Sequence, residues 1–480
     1  MRRLALAAVV AALAVPASAL AFTPNDPFVS RQYYLQQIGA FDAWPDVPIL
    51  APVKVAIIDS GIDGTHPELA SKIVAAKSFV GGSPLVDKEG HGTFVAGIVA
   101  AATNNSQGIA GIAFPAQLLI AKVVGADGGI EVRAEANAIR WAADHGARVI
   151  NLSIGGVRDP LDPRRDQFSA VEAAAVRYAY KKGVVIVAAV GNSDNAPSSP
   201  WPFASYPAAL PHVVGVSALT RLGNVPAFSN RDQIYDDIAA PGEDIFSTFP
   251  RPLTQLRPTC VEQGYSSCAP PASDDYRHAE GTSFAAPQVT AAAALLLATN
   301  PSLRPDQVSA ILERSADDVT PATGCKQCKV LRDALTGWGR LDVPRALAAL
   351  ATPPPPDRLE PNDDAGKQAV TIRASAKVHA TLDFWDDQID VYRVRLAKGD
   401  RFVARTDGPP GTNTNLLLWK PGTRRVDDLR AQRLRAAQSV RPGSSERLSY
   451  RVVKPGSYFV EVKLASPGSG SYTLTLSKKR

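Results

Sequence analysis

The sequence predicts an α/β fold, a mostly parallel sheet with helices on both faces, followed by a small all-β sandwich domain. Three observations predict it. Short apolar runs at 53–58, 118–124 and 184–190 alternate with helical segments, the pattern of βα units. Four consecutive prolines, 353–356, then form a stiff spacer. Beyond them the apolar period falls to two, and turn residues separate short alternating segments.

In order along the chain, Arg2 and Arg3 precede an apolar run at 4–15 and small residues at Ala17, Ala19 and Ala21. This reads as a secretory leader cleaved after Ala19 or Ala21, the run being too short to span a membrane. No later stretch is expected to be both long and charge-free enough to cross one. Residues 25–44 read as an irregular arm ending in a short helix. A strand at 53–58 runs into Asp59-Ser60-Gly61, and a helix at 91–102 follows a charged, glycine-containing loop. Strand 118–124, helix 135–145, strand 148–154, helix 166–182, strand 184–190 and strand 213–218 complete the alternation. Gly146 and Gly183 stop the two helices, and Gly191-Asn192 follows the strand at 184–190. An alanine-rich apolar run at 288–298 reads as a buried helix, entered through Gly281-Thr282-Ser283-Phe284-Ala285-Ala286-Pro287. Helix 302–314 and a segment at 344–350 close this region. After the spacer, 390–396, 401–404, 457–462 and 471–476 read as strands, with a helical period only near 427–437. The division expected is a leader at 1–21, an α/β domain at 22–350, a linker at 351–358 and a sandwich at 359–480.

With 480 residues, 45% hydrophobic and 20% charged, the chain has the composition of a soluble protein with more than one domain. Four cysteines in an exported chain favour two disulfides, for which the local pairings Cys260–Cys268 and Cys325–Cys328 are chosen among three connectivities. A zinc site would need all four to converge, and a redox CxxC lacks its usual βαβ surroundings here. Charge is unevenly placed: residues 357–480 hold 23 Lys/Arg against 14 Asp/Glu, the rest 29 against 32. The basic cluster at 424–447 is either a solvated face or a surface drawn to an anionic polymer such as cell wall. No nucleic-acid or membrane partner is expected, and the chain is expected to be monomeric.

In an open parallel sheet, ligands sit beyond the carboxyl ends of the strands. Asp59 and Asn192 stand at such ends, while His91 opens one helix and Ser283 another. Alone, Thr282 or Ser283 would read as an ordinary helix cap. Together the four residues make the inventory of acyl transfer. Ser283 attacks, His91 takes and returns the proton, Asp59 holds the imidazole and Asn192 donates to the oxyanion. A helix N-terminus beside the nucleophile favours the charge that develops there.

The chain order Asp, His, Ser on such a fold resembles that of the subtilisin-type serine proteases. Four segments carry the resemblance: Ile58-Asp59-Ser60-Gly61-Ile62, Gly90-His91-Gly92-Thr93-Phe94-Val95-Ala96-Gly97, Ala188-Ala189-Val190-Gly191-Asn192 and the Gly281–Pro287 stretch. It covers residues 25–350 and implies a subtilisin-like fold with secreted serine endopeptidase activity. It further implies that Val124, Gly125 and Ala126 form one edge for an extended polypeptide substrate. Ser153, Ile154 and Gly155, within Asn151-Leu152-Ser153-Ile154-Gly155-Gly156, would form the opposite edge and a wall of the S1 pocket, with Ser205 on its floor. Recognition through backbone suits broad specificity; the alternatives are a narrow processing protease and a non-catalytic surface-binding module, which four competent catalytic positions disfavour.

The resemblance also implies structural Ca²⁺ held by Asp26, Glu68, Ala102, Asn105, Gln107 and Ile109, a hard oxygen set around Asn104-Asn105-Ser106-Gln107-Gly108-Ile109. Glu68 stands where the family usually has aspartate. Phe284 stands where methionine is common, and Met1 is the sole methionine, so the sulfoxide route to inactivation by peroxide is absent. Such enzymes normally carry a prodomain, yet Asn25-Asp26-Pro27 already resembles a mature N-terminus. Unaided folding, help from calcium or from the tail, and a different start all remain open. Residues 359–480 resemble the bacterial pre-peptidase C-terminal domain through Leu359-Glu360-Pro361-Asn362-Asp363-Asp364, Asp387-Gln388-Ile389-Asp390-Val391-Tyr392-Arg393-Val394 and Gly470-Ser471-Tyr472-Thr473-Leu474. The acidic positions there are candidate calcium ligands.

Overall fold

Strands β1 (Val53–Asp59), β2 (Ile73–Ser78), β3 (Ala116–Lys122), β4 (Val149–Leu152), β5 (Val185–Ala189), β6 (Val213–Leu219) and β7 (Ile238–Pro241) make the central sheet of the computed structural model. Their order is β2-β3-β1-β4-β5-β6-β7, with every pairing parallel. The structure describes residues 22–44, 50–256, 275–384, 387–426 and 429–480. Strand β1 shows why the apolar runs are nearly continuous. Val55 and Ile57 enter the core on one face while Ala56 and Ile58 enter the core on the other. A strand covered on both sides needs apolar residues at every position. The first face carries helices His91–Ala100, Thr282–Thr299 and Pro305–Ser315, the second Val132–Asp144 and Ala170–Lys181. The expected α/β class is thus the observed one. Strand β2 had escaped the sequence reading because it lies at the sheet edge, only half-buried, with a weak apolar run.

The helix Thr282–Thr299 is apolar all round because it is packed all round, with 89% of its length buried. By length and composition it could cross a membrane. That corrects the expectation that no later stretch was long and charge-free enough: this one is, and it serves as the core helix. An antiparallel hairpin of β8 (Ile245–Thr248) and β9 (Tyr276–Ala279) leads into it. Cys325 and Cys328 are bonded, buried against Leu219, Ala239 and Val319. The expected Cys260–Cys268 pairing lies outside the described residues, as does the leader at 1–21.

Residues beyond the prolines form two sheets. One joins β10 (Val370–Thr371), β12 (Ile389–Leu396), β17 (Gly456–Leu464), β14 (Thr414–Trp419) and β15 (Arg435–Ser439) in that order; the other joins β11 (Ala376–Asp383), β18 (Ser469–Lys479), β13 (Arg401–Asp407) and β16 (Ser445–Arg451). Tyr392, Leu418 and Val460 of the first sheet share a core with Phe402, Leu448 and Leu474 of the second, so the two make a sandwich. The helical period near 427–437 resolves into a 3₁₀ segment, Leu429–Leu434, followed by β15. The sandwich touches the α/β part through His212 Nε2 and Asp363 Oδ2, 3.1 Å apart, through Arg425 on the Tyr235 hydroxyl and through Arg314 on Asp383.

Glu135 and Glu172, 4% and 3% exposed, face each other from the helices Val132–Asp144 and Ala170–Lys181. Burial, above all, raises both above the ordinary glutamate value, and the pair shares a proton. The folded state therefore binds that proton more tightly than the unfolded chain. Its stability is fully present below the unfolded value near 4.5 and is lost as pH rises through the raised folded values. Tm should fall as pH rises from about 5 through the raised folded values, and Glu135→Gln should flatten that fall. Equal slopes in parent and variant would refute the assignment.

Candidate active site

Asp59 is the last residue of β1, at the carboxyl edge of the sheet, and is 1% exposed. His91 is the first residue of its helix. His91 Nδ1 lies 2.8 and 3.0 Å from the two Asp59 carboxylate oxygens. What fixes this geometry is Asp87, 5% exposed, which the sequence reading did not single out. Its carboxylate accepts the backbone N–H groups of Glu89, Gly90 and Thr93 at 3.1, 2.8 and 2.9 Å, satisfying free donors at the start of the histidine helix. It also accepts the Thr93 hydroxyl at 2.7 Å and the Ser60 hydroxyl at 2.8 Å. Ser60 Oγ in turn accepts the Gly92 N–H at 2.9 Å. One acid thus ties the aspartate turn to the histidine helix. The two approach so closely that a Cβ on Gly92 would stand 2.1 Å from the Gly61 carbonyl oxygen and 3.1 Å from Asp59 Cβ, so only glycine fits. Burial is the largest single influence on His91 and pushes its pKa down. The charge and hydrogen bond of Asp59, helped by Asp87 and Glu89, outweigh it, and the net shift from 6.5 is upward.

Ser283 is the second residue of its helix, after Gly281 at the cap position. Pro287, four residues on, has no N–H to give to the Ser283 carbonyl. That carbonyl is taken instead by Ser153 Oγ at 2.7 Å, and Ser153 Oγ accepts from Asn151 Nδ2 at 2.9 Å. Asn151 Oδ1 accepts the Thr290 hydroxyl at 2.8 Å, so the end of β4 is fastened to the serine helix at two points. The Ser283 hydroxyl itself donates to the Ser153 carbonyl at 3.1 Å; among the described residues it makes no bond to His91. Phe284 sits between the two helices, its ring 5.5 Å from that of His91 and 4.5 Å from that of Phe94.

Asn192 follows β5. Its Oδ1 accepts the Thr282 N–H at 3.1 Å and the Thr282 hydroxyl at 3.0 Å. Two donors on one end make that end the oxygen, leaving the NH₂ as the end that can donate. Asp59, His91, Ser283 and Asn192 are therefore gathered on one sheet edge, with the Asp–His pair made and the serine turned toward β4.

The expected substrate walls are less uniform. Gly156 and Tyr206 exchange both backbone hydrogen bonds at 2.9 Å, which sets Gly155 beside Ser205. A Cβ on Gly155 would stand 2.4 Å from the Tyr206 carbonyl oxygen. Ile154 packs against the second-face core. Ser205 is 8% exposed, and its Oγ accepts from Asn230 Nδ2 at 3.2 Å. Val124, Gly125 and Ala126 lie in a tight turn of chain. Gly125 N–H donates to the Gly129 carbonyl at 2.8 Å, Gly128 N–H donates to the Gly125 carbonyl at 3.2 Å, and Val124 stands opposite Ile130. They form one arm of a tight hairpin, in which both backbone groups of Gly125 are taken. Because the hydrogen bonds fall on their neighbours, Val124 and Ile130 are a non-hydrogen-bonded pair whose own N–H and C=O turn away from each other.

Around the residues 104–109, Asp26 (5% exposed) accepts the Asn104 and Asn105 N–H groups at 2.8 and 3.0 Å. Glu68 is fully buried; its oxygens accept the Tyr276 hydroxyl at 3.0 Å and Asn105 Nδ2 at 3.1 Å. Its extra methylene relative to aspartate carries the carboxylate into the loop. Burial pushes Glu68 up to about 7, and repulsion from Asp26 adds to it. Burial likewise raises Asp26. Asn105 Oδ1 accepts the Gln107 N–H at 2.8 Å, and the Ala102 N–H donates to the Glu68 backbone carbonyl at 3.0 Å. Two buried carboxylates from separate segments that repel each other beside one loop, met only by neutral donors in these bonds, fit a hard cation.

The subtilase family matches residues 51–339. Thermitase from Thermoactinomyces vulgaris is 37% identical over 301 residues, which is 62% of this chain and 93% of that protein. Halolysin from Haloferax mediterranei is 30% identical over 472 residues, 95% of this chain and 78% of its own. Among solved structures, a protease from Pseudoalteromonas arctica PAMC 21717 is similar with a TM-score of 0.53 and 28% identity, covering 68% of this chain and 99% of that one. With that fold, that sheet edge and a family match over more than half its length, the chain belongs to the subtilase family and is a serine endopeptidase.

Proposed function

We propose that the chain is an exported endopeptidase of broad specificity, with Ser283 as nucleophile, His91 as general base and acid, Asp59 as the group that orients the imidazole, and Asn192 as oxyanion donor. The observation that carries this reading is the Asp59–His91 pair, 2.8 Å apart, on the same edge as the serine helix. A substrate strand entering between the hairpin at 124–130 and Ser153–Gly155 brings an amide N–H to the Ser153 carbonyl. That releases the Ser283 hydroxyl, which rotates about its Cα–Cβ bond to His91 Nε2; such bonds are commonly unformed before substrate binds. Ser283 Oγ then attacks the peptide carbonyl as its proton passes to His91. The oxyanion accepts from the Asn192 NH₂ and from the Ser283 N–H, which as a first-turn donor has no intrahelical partner. His91 returns the proton to the leaving amine, and water repeats the sequence on the acyl-enzyme.

Cleavage of casein by the chain purified from culture medium tests the reading, with N-terminal sequencing to test removal of residues 1–21. Asn192→Leu should lower kcat on the order of 10²–10³-fold with little change in KM, the cost typical of losing one oxyanion donor. An unchanged kcat would take Asn192 out of the mechanism. The leader at 1–21, peptidase domain at 22–350, linker at 351–358 and pre-peptidase-type sandwich at 359–480 belong to the same proposal.

Calcium at Asp26, Glu68 and the Asn105 loop supports the fold rather than the chemistry. The ion would supply the positive charge these carboxylates lack, with the carbonyls of Ala102, Gln107 and Ile109 as further oxygen donors. Asp26→Asn should reduce the rise in Tm that calcium produces in the parent. The same rise in both would remove the ion from this loop.

A further inference from the structure

Where the sandwich meets the α/β part, the chain leaves an open groove of about 310 Å³. One wall is a face of the helix Ala170–Lys181, on which Ala170, Ala173, Ala174 and Arg177 stand at i, i+3, i+4 and i+7. The three alanines end at Cβ and so leave a trough that longer side chains would fill. The floor is Tyr206, Ala209, Leu210 and Pro211, and the far wall, from the sandwich, carries Lys367, Arg424 and Arg425. Phe168, 52% exposed, lines it too, its ring 5.7 Å from that of Tyr206. An apolar lining with a few charges, at a junction between two folded parts, is the usual setting of a binding site.

Four cations line the groove against one acid. That acid, Asp364, is engaged: it accepts the Ala365 and Val426 N–H groups, both at 2.7 Å, and lies 3.6 Å from Arg425 Nε. Arg425 also donates to the Tyr235 hydroxyl. Arg177, Lys367 and Arg424 pair with no acid among the described residues. Like charges gathered around one groove repel each other and draw in a run of negative charge. The occupant must therefore offer anions to the cations and apolar groups to the alanine trough. A bare anionic polymer offers only the first. A polypeptide offers both, and polypeptide is what an endopeptidase meets.

Tyr206 joins the groove to the cleft. Its side chain lines the groove, while its backbone exchanges both hydrogen bonds with Gly156 at 2.9 Å, next to Gly155 of the proposed S1 wall. A polypeptide held in the cleft thus has the groove open to its flanking residues. We propose that this groove is a second substrate site, an exosite for an acidic segment with intervening apolar residues, its carboxylates on Arg177, Lys367 and Arg424 and its apolar side chains on the alanine face and Leu210. The proposal rests on the cleft being that of an endopeptidase. Contacts made away from the scissile bond hold ground state and transition state alike, so the exosite lowers KM and leaves kcat unchanged.

The test uses fluorogenic peptides that share one scissile sequence. A flexible Gly/Ser linker joins it, on either side, to a tail alternating Glu with Leu or Ala, to the same tail with Gln for Glu, or to no tail. At low salt the acidic tail should lower KM about tenfold relative to the glutamine tail, the sum expected of three exposed ion pairs, and the difference should fade as salt rises. The double variant Arg177→Glu, Arg424→Glu should erase the difference. Ala174→Trp, which fills the trough without changing charge, should shrink it, and every variant should cleave the untailed peptide as the parent does. Fluorescence anisotropy of the labelled acidic tail on the full chain carrying Ser283→Ala reads binding without catalysis, so failure of the peptidase reading and failure of the exosite are told apart. Equal KM for acidic and glutamine tails in the parent, or an advantage that survives in both groove variants, would overturn the proposal. So would inorganic polyphosphate that binds as tightly as the tail and is indifferent to Ala174→Trp, since the groove would then read charge alone.

Discussion

Ser283→Ala should abolish peptide hydrolysis while leaving the fold intact, lowering kcat on the order of 10⁶-fold. The side chain contributes a hydroxyl whose described bond is to the Ser153 carbonyl, and the helix is anchored by other atoms: the Ser283 carbonyl on Ser153 Oγ, Thr282 on Asn192 and Thr290 on Asn151. Those bonds survive the substitution, so Tm should move little. The residual rate over water should come from Asn192, the helix N-terminus and the strand edges, which still bind and polarise the substrate. Retention of more than about one hundredth of the parent kcat would place the nucleophile elsewhere.

Asp59→Asn should cost on the order of 10⁴-fold in kcat, and it should also move the pH profile. In the parent, His91 must be neutral to take the Ser283 proton, and its pKa is raised above 6.5 because Asp59 outweighs burial. Activity should therefore be lost as pH falls through a midpoint above 6.5. With asparagine at 59 the principal raising influence is gone and burial, which lowers the His91 pKa, dominates. The acid limb should shift downward while the plateau collapses. An unshifted limb would mean that a group other than His91 controls it. The shift separates orientation and charge from a merely structural loss, which would lower the plateau alone.

The parallel sheet was legible because both of its faces are covered, and the apolar runs that mark β1, β3, β5 and β6 are the direct result. Strand β2, half-exposed at the edge, carries no such signature. The residues expected to do chemistry were legible as types at sheet and helix ends. The residues that hold them were not. Asp87 accepts five donors drawn from residues 60–93, and a single acid four positions ahead of a histidine does not announce that. Its one local signal is its place just before a helix start, where acids cap. The hairpin at 124–130 was not legible for a related reason. The strand pattern continues to 124, but Asp127-Gly128-Gly129 then reverses the chain and the returning arm pairs with the first. Turn chemistry, not strand propensity, decides where the chain reverses. The core helix begins at Thr282, so Ser283, expected at or beside its start, lies inside its first turn.

The most direct measurement is the site of covalent modification by a fluorophosphonate, which needs an activated serine beside an oxyanion donor. Folded protein is reacted to completion, digested and mapped by mass spectrometry, alongside His91→Ala. The account predicts one adduct per chain, on the peptide containing Ser283, and modification slowed on the order of 10³-fold or more in His91→Ala. An adduct on any other residue, or none on folded protein that cleaves casein, would contradict it.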